Sequence, residues 1–158
     1  MARRAAEILS HWHKTFEGFQ DSPQKIYGMM EEAVKRRQIP DAKISRVTYR
    51  ERGIFSAKRE YLRVKRENHI FDICAAPYGI GFFFSWWLGD TLGQGPLSKI
   101  WHFFKPSTYY SLDTAMMFRD SVHTAVLEII EQLTEGKGIK AMTEQEKKPF
   151  MEGFFTRR

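Results

Sequence analysis

Cysteine is nearly missing from this sequence, and so are the residue spacings that hold metals. Cys74 is the single cysteine among 158 residues, so no disulfide can form within the chain. The five histidines include no His-x-x-x-His pair and no neighbouring cysteine pair, which argues against a zinc site. We therefore expect no metal and no cofactor. The N-terminal residues are too polar for a secretory signal, and with the lone cysteine they predict a cytoplasmic protein.

A long hydrophobic run is also missing. The uncharged segment Ile73–Gly89 is seventeen residues long and contains Pro77 and three glycines. A membrane-spanning helix needs about 20 apolar residues and tolerates such turn residues poorly. A buried β-hairpin explains both the turn residues and the alternation of side chains, so we expect no transmembrane span. Contact with an anionic membrane surface through basic and aromatic side chains remains an alternative.

No motif in the sequence specifies a reaction. The glycine-rich segment 89–96 lacks the Lys-Ser/Thr pair that directly follows the last glycine of a phosphate-binding loop. Cys74 lies among apolar residues, where a small buried side chain is expected. Asp72 is unusual because it is an acid inside an apolar strand. It either pairs with a basic side chain of the adjacent strand or acts as a functional acid in a pocket. The expected class is non-enzymatic.

Length and composition predict one α+β domain over residues 1–158, because 42% hydrophobic and 28% charged residues are typical of a folded globular chain. Apolar residues three or four positions apart, from Ala5 to Phe19, predict a first helix that ends near Gly18. Ser22 followed by Pro23 marks the start of a second helix, which ends at 39–41. The N-terminal helices are thus expected within 3–38.

The period of the pattern then changes from helical to alternating. Segments 43–51, 60–67, 69–75 and 80–88 are rich in β-branched and aromatic residues and predict a four-stranded antiparallel meander over about 43–88. Turns are expected at 67–68 and 76–79. In the last strand, Ile80 and the even-numbered positions after it are expected in the core. An aromatic loop over 89–110 follows.

The C-terminal part, 111–158, is expected to be helical. Apolar residues at helical spacing predict a long helix over about 113–134, capped by Ser111 or Asp113 and packed across the sheet. Thr143 and Glu146 have the spacing of a capping box, which predicts a short second helix.

Positive charge is concentrated in one part of the chain. The net charge is +6, but residues 35–69 alone contain twelve Lys/Arg and four Asp/Glu, a local charge of +8. If Leu62 and Val64 point into the core, Arg63 and Lys65 point outward, and Arg46 and Arg50 join them if Val47 and Tyr49 are buried. The candidate anion or nucleic-acid contacts on that face are Arg46, Arg50, Arg63 and Lys65.

Aromatic side chains supply the second candidate surface. Phe83 and Trp87 alternate with the expected core residues of the last strand and should share the outward face with the basic residues. Trp101 and Phe104 belong to a short apolar stretch that either covers the core or docks a partner.

Three function classes follow from these patterns. The first is a non-enzymatic module that docks a protein partner, or a second copy of itself, through exposed aromatic surface. The second is a nucleic-acid binder that uses the basic and aromatic sheet face. The third is a small enzyme with Asp72 in a pocket. The first class makes the fewest demands on the sequence, and we take it as the expectation.

Overall fold

The computed structural model describes residues 7–50, 58–91 and 108–151. These residues form an α+β fold with an antiparallel sheet and a long C-terminal helix, which confirms the predicted class. In chain order the elements are β1 (Glu7–Glu17), α1 (Pro23–Arg36), β2 (Lys43–Arg50), β3 (Lys58–Arg66), β4 (His69–Tyr78), β5 (Gly81–Asp90), α2 (Tyr109–Thr134) and β6 (Phe150–Met151).

The sheet is larger than the predicted four-stranded meander. Within the described residues it has six strands in the order β2-β3-β4-β5-β1-β6, and neighbouring strands run antiparallel. Strands β2 to β5 form the meander that the sequence predicts. β1 adds to the free side of β5, and the short β6 pairs with β1 at Ser10 and His11.

The predicted first helix is wrong, because the segment is strand β1. Ser10, Trp12 and Phe16 are buried, while the alternate positions His13 and Thr15 are exposed, which is the two-residue period of a strand. Trp12 and Phe16 lie four positions apart, and that spacing fits both a helix and a strand. Pairing decided the outcome: without β1, the apolar strand β5 would be left as an edge.

Helix α1 confirms the second prediction. The Ser22 side chain accepts a hydrogen bond from the Lys25 backbone N–H, and Pro23 occupies the first turn. Helix α2 begins earlier than predicted. Thr108 is its N-cap and accepts a hydrogen bond from the Ser111 backbone N–H, so the predicted caps Ser111 and Asp113 lie inside the helix.

The capping box forms, but no helix follows it. The Thr143 N–H donates to Glu146 Oε2 at 2.9 Å, and the Glu146 N–H donates to Thr143 Oγ1 at 3.2 Å. The segment makes a turn and then continues into β6. The sequence therefore predicted the local hydrogen bonds correctly and the element type wrongly.

Both helices contribute to a core on one face of the sheet. The Phe71 ring of β4 packs edge-on against Phe118 of α2, with 6.2 Å between ring centroids. The Tyr27 hydroxyl of α1 donates to the Glu60 carbonyl of β3 and accepts from the Ala75 N–H of β4, so it bridges the two strands. From β5, the fully buried core residues are Phe82, Phe84, Trp86 and Leu88.

The turn between β4 and β5 lies two residues later than predicted. Strand β4 continues through Pro77 to Tyr78, and Gly79 takes a positive φ of 59° at the turn. Ile80 is 76% exposed there, so its predicted place in the core is wrong. The other predicted turn, at Glu67 and Asn68, is confirmed by the pairing of Arg66 with His69.

Gly81 provides a test of the β1–β5 pairing. A Cβ atom at this position would lie 2.9 Å from the Phe16 carbonyl oxygen, which is closer than real contacts allow. We expect Gly81→Ala to lower the free energy of unfolding by about 1–3 kcal/mol, as overpacking does. Urea unfolding followed by circular dichroism measures this.

Gly28→Ala is the matched control. Gly28 lies inside α1 and its added Cβ would meet no atom within 4 Å. Alanine there should raise the free energy of unfolding by about 0.5–1 kcal/mol through helix propensity. Equal effects of the two substitutions would contradict the close approach of β5 to β1.

Candidate functional site

The sheet face opposite the helices carries the functional candidates, and we call it the outer face. Strand pairing aligns one row of residues across it from β2 to β6. The row consists of Ser45, Arg63, Asp72, Trp87, His11 and Phe150. Because paired residues share a face, these side chains all lie on the outer face.

Aromatic rings stack across the strands at the β5–β1–β6 side of this face. The His11 ring lies between Trp87 and Phe150, with centroid distances of 4.8 and 5.1 Å and interplanar angles of 19° and 17°. His13, which pairs with Ser85, stacks diagonally on Phe83 with 6.2 Å between ring centroids. We call these five residues the aromatic ladder.

The ring faces inside the ladder lie against one another, which leaves ring edges and the outward-turned faces of the two end rings to the surroundings. The spacing of the Trp87, His11 and Phe150 rings is close to the distance of about 4.8 Å between neighbouring strands. Nearly parallel rings at that spacing stand upright on the sheet, and the faces between them are in mutual contact. The end rings are nevertheless accessible, since Trp87 is 42% and Phe150 56% exposed.

A buried ion pair lies next to the ladder in the same row. The Arg63 Nε donates to Asp72 Oδ1 at 2.7 Å, and its Nη2 donates to Asp72 Oδ2 at 2.7 Å. Tyr49 from β2 donates its hydroxyl to Asp72 Oδ2 at 3.0 Å and also contacts the Arg63 guanidinium. Both Asp72 oxygens thus have protein partners. This arrangement corresponds to the first alternative for Asp72, an ion pair with a basic side chain of the adjacent strand.

The shifts in pKa around the pair have clear causes. The hydrogen bonds to Asp72 raise the pKa of Arg63. Burial raises the pKa of Tyr49 to about 12, and the negative charge of Asp72 adds to the effect. Arg63 is therefore a fixed cation and Tyr49 a neutral donor at physiological pH. The cluster holds β2, β3 and β4 together and has little charge left for a ligand.

The four basic candidates do not share one face. Arg63 and Lys65 lie on the outer face, as predicted. Arg46 pairs with Leu62, and Arg50 pairs with Lys58 four pairs further along, so both belong to the helix-side face. Their predicted place beside Arg63 is wrong, because Val47 and Tyr49, which would have to face the core for that prediction, lie on the outer face.

Arg46 has partners of its own on the helix side. Its guanidinium lies over the Tyr27 ring, 4.8 Å from the centroid. Its nitrogens lie 3.5 Å from Glu60 and 3.7 Å from Glu31 carboxylate oxygens. These contacts dock the β2 edge onto α1 and offset the charge of Arg46.

Phe83 and Trp87 lie on the outer face as predicted, whereas Trp101 and Phe104 fall outside the described residues. Within 7–50, 58–91 and 108–151, no three His, Cys, Asp or Glu side chains are grouped so that they could hold a metal ion. No helix in that part of the chain is long and apolar enough to cross a membrane.

His123 is a buried polar residue that the sequence reasoning missed. Its Nδ1 accepts a hydrogen bond from Trp86 Nε1 at 2.9 Å, and its Nε2 lies 2.6 Å from the Lys147 carbonyl oxygen. The neutral ring with hydrogen on Nε2 satisfies both contacts. The only signal in the sequence was a histidine within the apolar stripe of α2, between Val122 and Ala125.

The segment 143–151 is held against the sheet by further polar contacts. Trp12 Nε1 donates to the Glu146 carbonyl oxygen at 2.7 Å, and Ser10 Oγ donates to the Phe150 carbonyl oxygen at 2.5 Å. Lys14 binds the Glu146 carboxylate at 2.5 Å, and this hydrogen bond lowers the Glu146 pKa to about 2. The position of Phe150 in the ladder therefore depends on contacts made by β1.

Two comparisons with known proteins assign the chain to no family. A scan against models of known protein families finds no match, and no curated protein matches the sequence. Function must therefore be argued from the site.

The buried pair predicts non-additive stability changes. Asp72→Leu alone leaves the Arg63 cation buried without its carboxylate, so the free energy of unfolding should fall by about 3–5 kcal/mol. Arg63→Met with Asp72→Leu removes both charges and should recover most of this loss. Urea unfolding of Asp72→Leu, Arg63→Met and the double variant measures the coupling. Additive losses would mean that the pair is not a unit.

His123 predicts loss of stability in mild acid. Burial lowers its pKa in the folded protein, and the backbone contact with Lys147 only partly opposes this. Below about pH 6.5 the unfolded chain takes up the proton first, so the free energy of unfolding falls with falling pH; above it this contribution is fully present. Chemical unfolding at several pH values between neutrality and mild acid measures the slope.

His123→Gln is the test variant for that slope. It should reduce the pH dependence without abolishing it, because burial also lowers the pKa of His69. Tyr110→Gln, at an exposed position of the same helix, is the control; it removes no histidine and should leave the slope of the wild type unchanged. A His123 variant with the full slope would contradict the assignment.

Proposed function

We propose that this chain is a non-enzymatic binding module that docks a protein partner through the aromatic ladder. The observation that carries the proposal is the exposure of large rings in a pre-ordered stack: Trp87 is 42% and Phe150 56% exposed on the same face. Rigid aromatic side chains lose little conformational freedom on binding and dominate many protein interfaces.

The orientation of the rings favours protein over nucleic acid. Base stacking needs an accessible ring face, but the faces between Trp87, His11 and Phe150 contact one another. The basic residues that could bind phosphate lie in β2 and β3, towards the opposite end of the strand order from the ladder. Arg63, the basic residue in the ladder's own row, is paired with Asp72.

The charge of the chain favours a different protein over a second copy. The net charge is +6, and Lys65 is exposed on the outer face. Two copies docked through this face would bring like charges together, which costs affinity and slows association. The partner surface should therefore be apolar at its centre and acidic at its rim. We also take the chain to be one domain that acts in the cytoplasm.

The test measures direct binding with matched variants. Wild type, Trp87→Ser and Tyr110→Ser each serve as bait to capture protein partners. Each captured partner is purified, and its binding to the three proteins is titrated by calorimetry. Tyr110 is 82% exposed at the start of α2, away from the ladder, so it controls for general loss of surface aromatics. We expect Trp87→Ser to weaken binding at least about tenfold and Tyr110→Ser to leave it unchanged.

Three outcomes would contradict the proposal. Equal binding by wild type and Trp87→Ser would exclude the ladder. Concentration-dependent dimerisation of the wild type, abolished by Trp87→Ser, would assign the ladder to a second copy. Tight, salt-sensitive binding of an oligonucleotide that Trp87→Ser abolishes would assign it to nucleic acid. Circular dichroism and thermal melting confirm that each variant is folded.

A further inference from the structure

The other end of the sheet has a separate surface, the outer edge of β2. Strand β2 is eight residues long, ends the strand order, and pairs only with β3 among the described residues. On an edge strand, alternate residues direct their backbone N–H and C=O groups away from the sheet. Within the described residues, the outer side of β2 is therefore unpaired and can receive one further strand.

The charge of this edge is of one sign. β2 contains Lys43, Arg46 and Arg50 and no acidic residue. Its neighbour β3 adds five basic residues and one acid, Glu60. Lys43 and Arg50, near the two ends of β2, are exposed and form no ion pair within the described part of the chain. The edge is thus basic along its length, and part of that charge is not offset.

This charge pattern selects among strands that could pair with β2. The β2 edge of a second copy would place three cations against three cations, and like charges in cross-strand pairs are destabilising. Lysine and arginine on an edge protect against such self-pairing. An extended segment rich in Asp and Glu meets the opposite condition, since each acid can face a basic side chain while the backbones pair.

We propose that the β2 edge binds an acidic, extended protein segment by β-strand addition. Backbone hydrogen bonds supply the pairing, and Lys43 and Arg50 supply the preference for acidic residues. The surface lies at the opposite end of the strand order from the aromatic ladder, so the inference does not depend on the proposed function. A nucleic acid would use the same cations but has no peptide backbone to pair with the edge.

The probe is a fluorescent synthetic peptide of about nine residues, the length that spans β2, with two neighbouring Glu residues at each end and Val or Thr between them, so that one Glu can face Lys43 on the outer face and another can face Arg50 on the helix side. Two further peptides carry methyl groups on alternate backbone nitrogens, one on the odd set and one on the even set. All three peptides have the same charge. In strand addition only one set of N–H groups faces β2, so one methylated peptide should bind like the parent and the other should bind at least about tenfold more weakly.

The protein variants isolate the charge of the edge. Lys43→Glu with Arg50→Glu should abolish peptide binding. Lys140→Glu with Lys148→Glu is the matched control, because both lysines are exposed elsewhere and the net charge changes by the same amount. Fluorescence anisotropy on the full chain, at low and moderate salt, measures all combinations.

The outcomes separate the possibilities. The inference is supported if binding is lost with one of the two methylated peptides and with Lys43→Glu/Arg50→Glu, and is retained with the other methylated peptide and with the control variant. Equal binding of all three peptides, or equal loss in both protein variants, would overturn it in favour of nonspecific charge attraction. Failure of the peptide with tight binding of an oligonucleotide that depends on Lys43 and Arg50 would overturn it in favour of nucleic acid. No binding of any probe would also overturn it.

Discussion

Pairing between β1 and β5 brings together the two strands on which most of the structure depends. Ten residue pairs place Trp12 and Phe16 beside Trp86 and Phe82 on the helix side of the sheet. The same pairs place His11 beside Trp87 on the outer face. One register thus builds both the core and the aromatic ladder, because a strand presents its two sets of side chains to opposite faces.

Polar contacts inside the core extend this constraint to the C-terminal segment. His123 joins Trp86 of β5 to the Lys147 carbonyl, and Trp12 of β1 holds the Glu146 carbonyl. Buried polar groups need hydrogen-bond partners, and here each of these hydrogen bonds joins two different parts of the chain. The cost of leaving these groups unsatisfied keeps segment 143–151 in place, and with it the Phe150 ring of the ladder.

The sheet separates two kinds of surface. The β5–β1–β6 side carries exposed aromatic rings, whereas β2 and β3 carry eight of the nine Lys/Arg residues of the strands. Between them, the Arg63–Asp72 pair and Tyr49 form a neutral, buried cluster. The first surface offers exposed aromatic area, and the second offers basic charge beside a strand that ends the order of the described sheet. The two surfaces lie at opposite edges of that sheet.

Local patterns were sufficient for several elements. Alternation in 60–88 predicted β3, β4 and β5, and it placed Phe83, Trp87, Arg63 and Lys65 on the face that they occupy. Ser22 and Pro23 predicted the start of α1, and the apolar stripe predicted α2. These signals depend on residues near one another in the chain, where periodicity and capping act directly.

Elements that depend on partners distant in the chain could not be predicted from local sequence patterns. The spacing of Trp12 and Phe16 fits two periods, and only the partner strand β5 decided for β1. The face that Arg46 occupies depended on how β2 pairs with β3, where a shift of one residue would reverse it. The role of Asp72 depended on Arg63 and Tyr49, which come from other strands. Chain periodicity determined which residues could form a face, but long-range strand pairing decided which face each one joined, because register is a property of two strands and not of one.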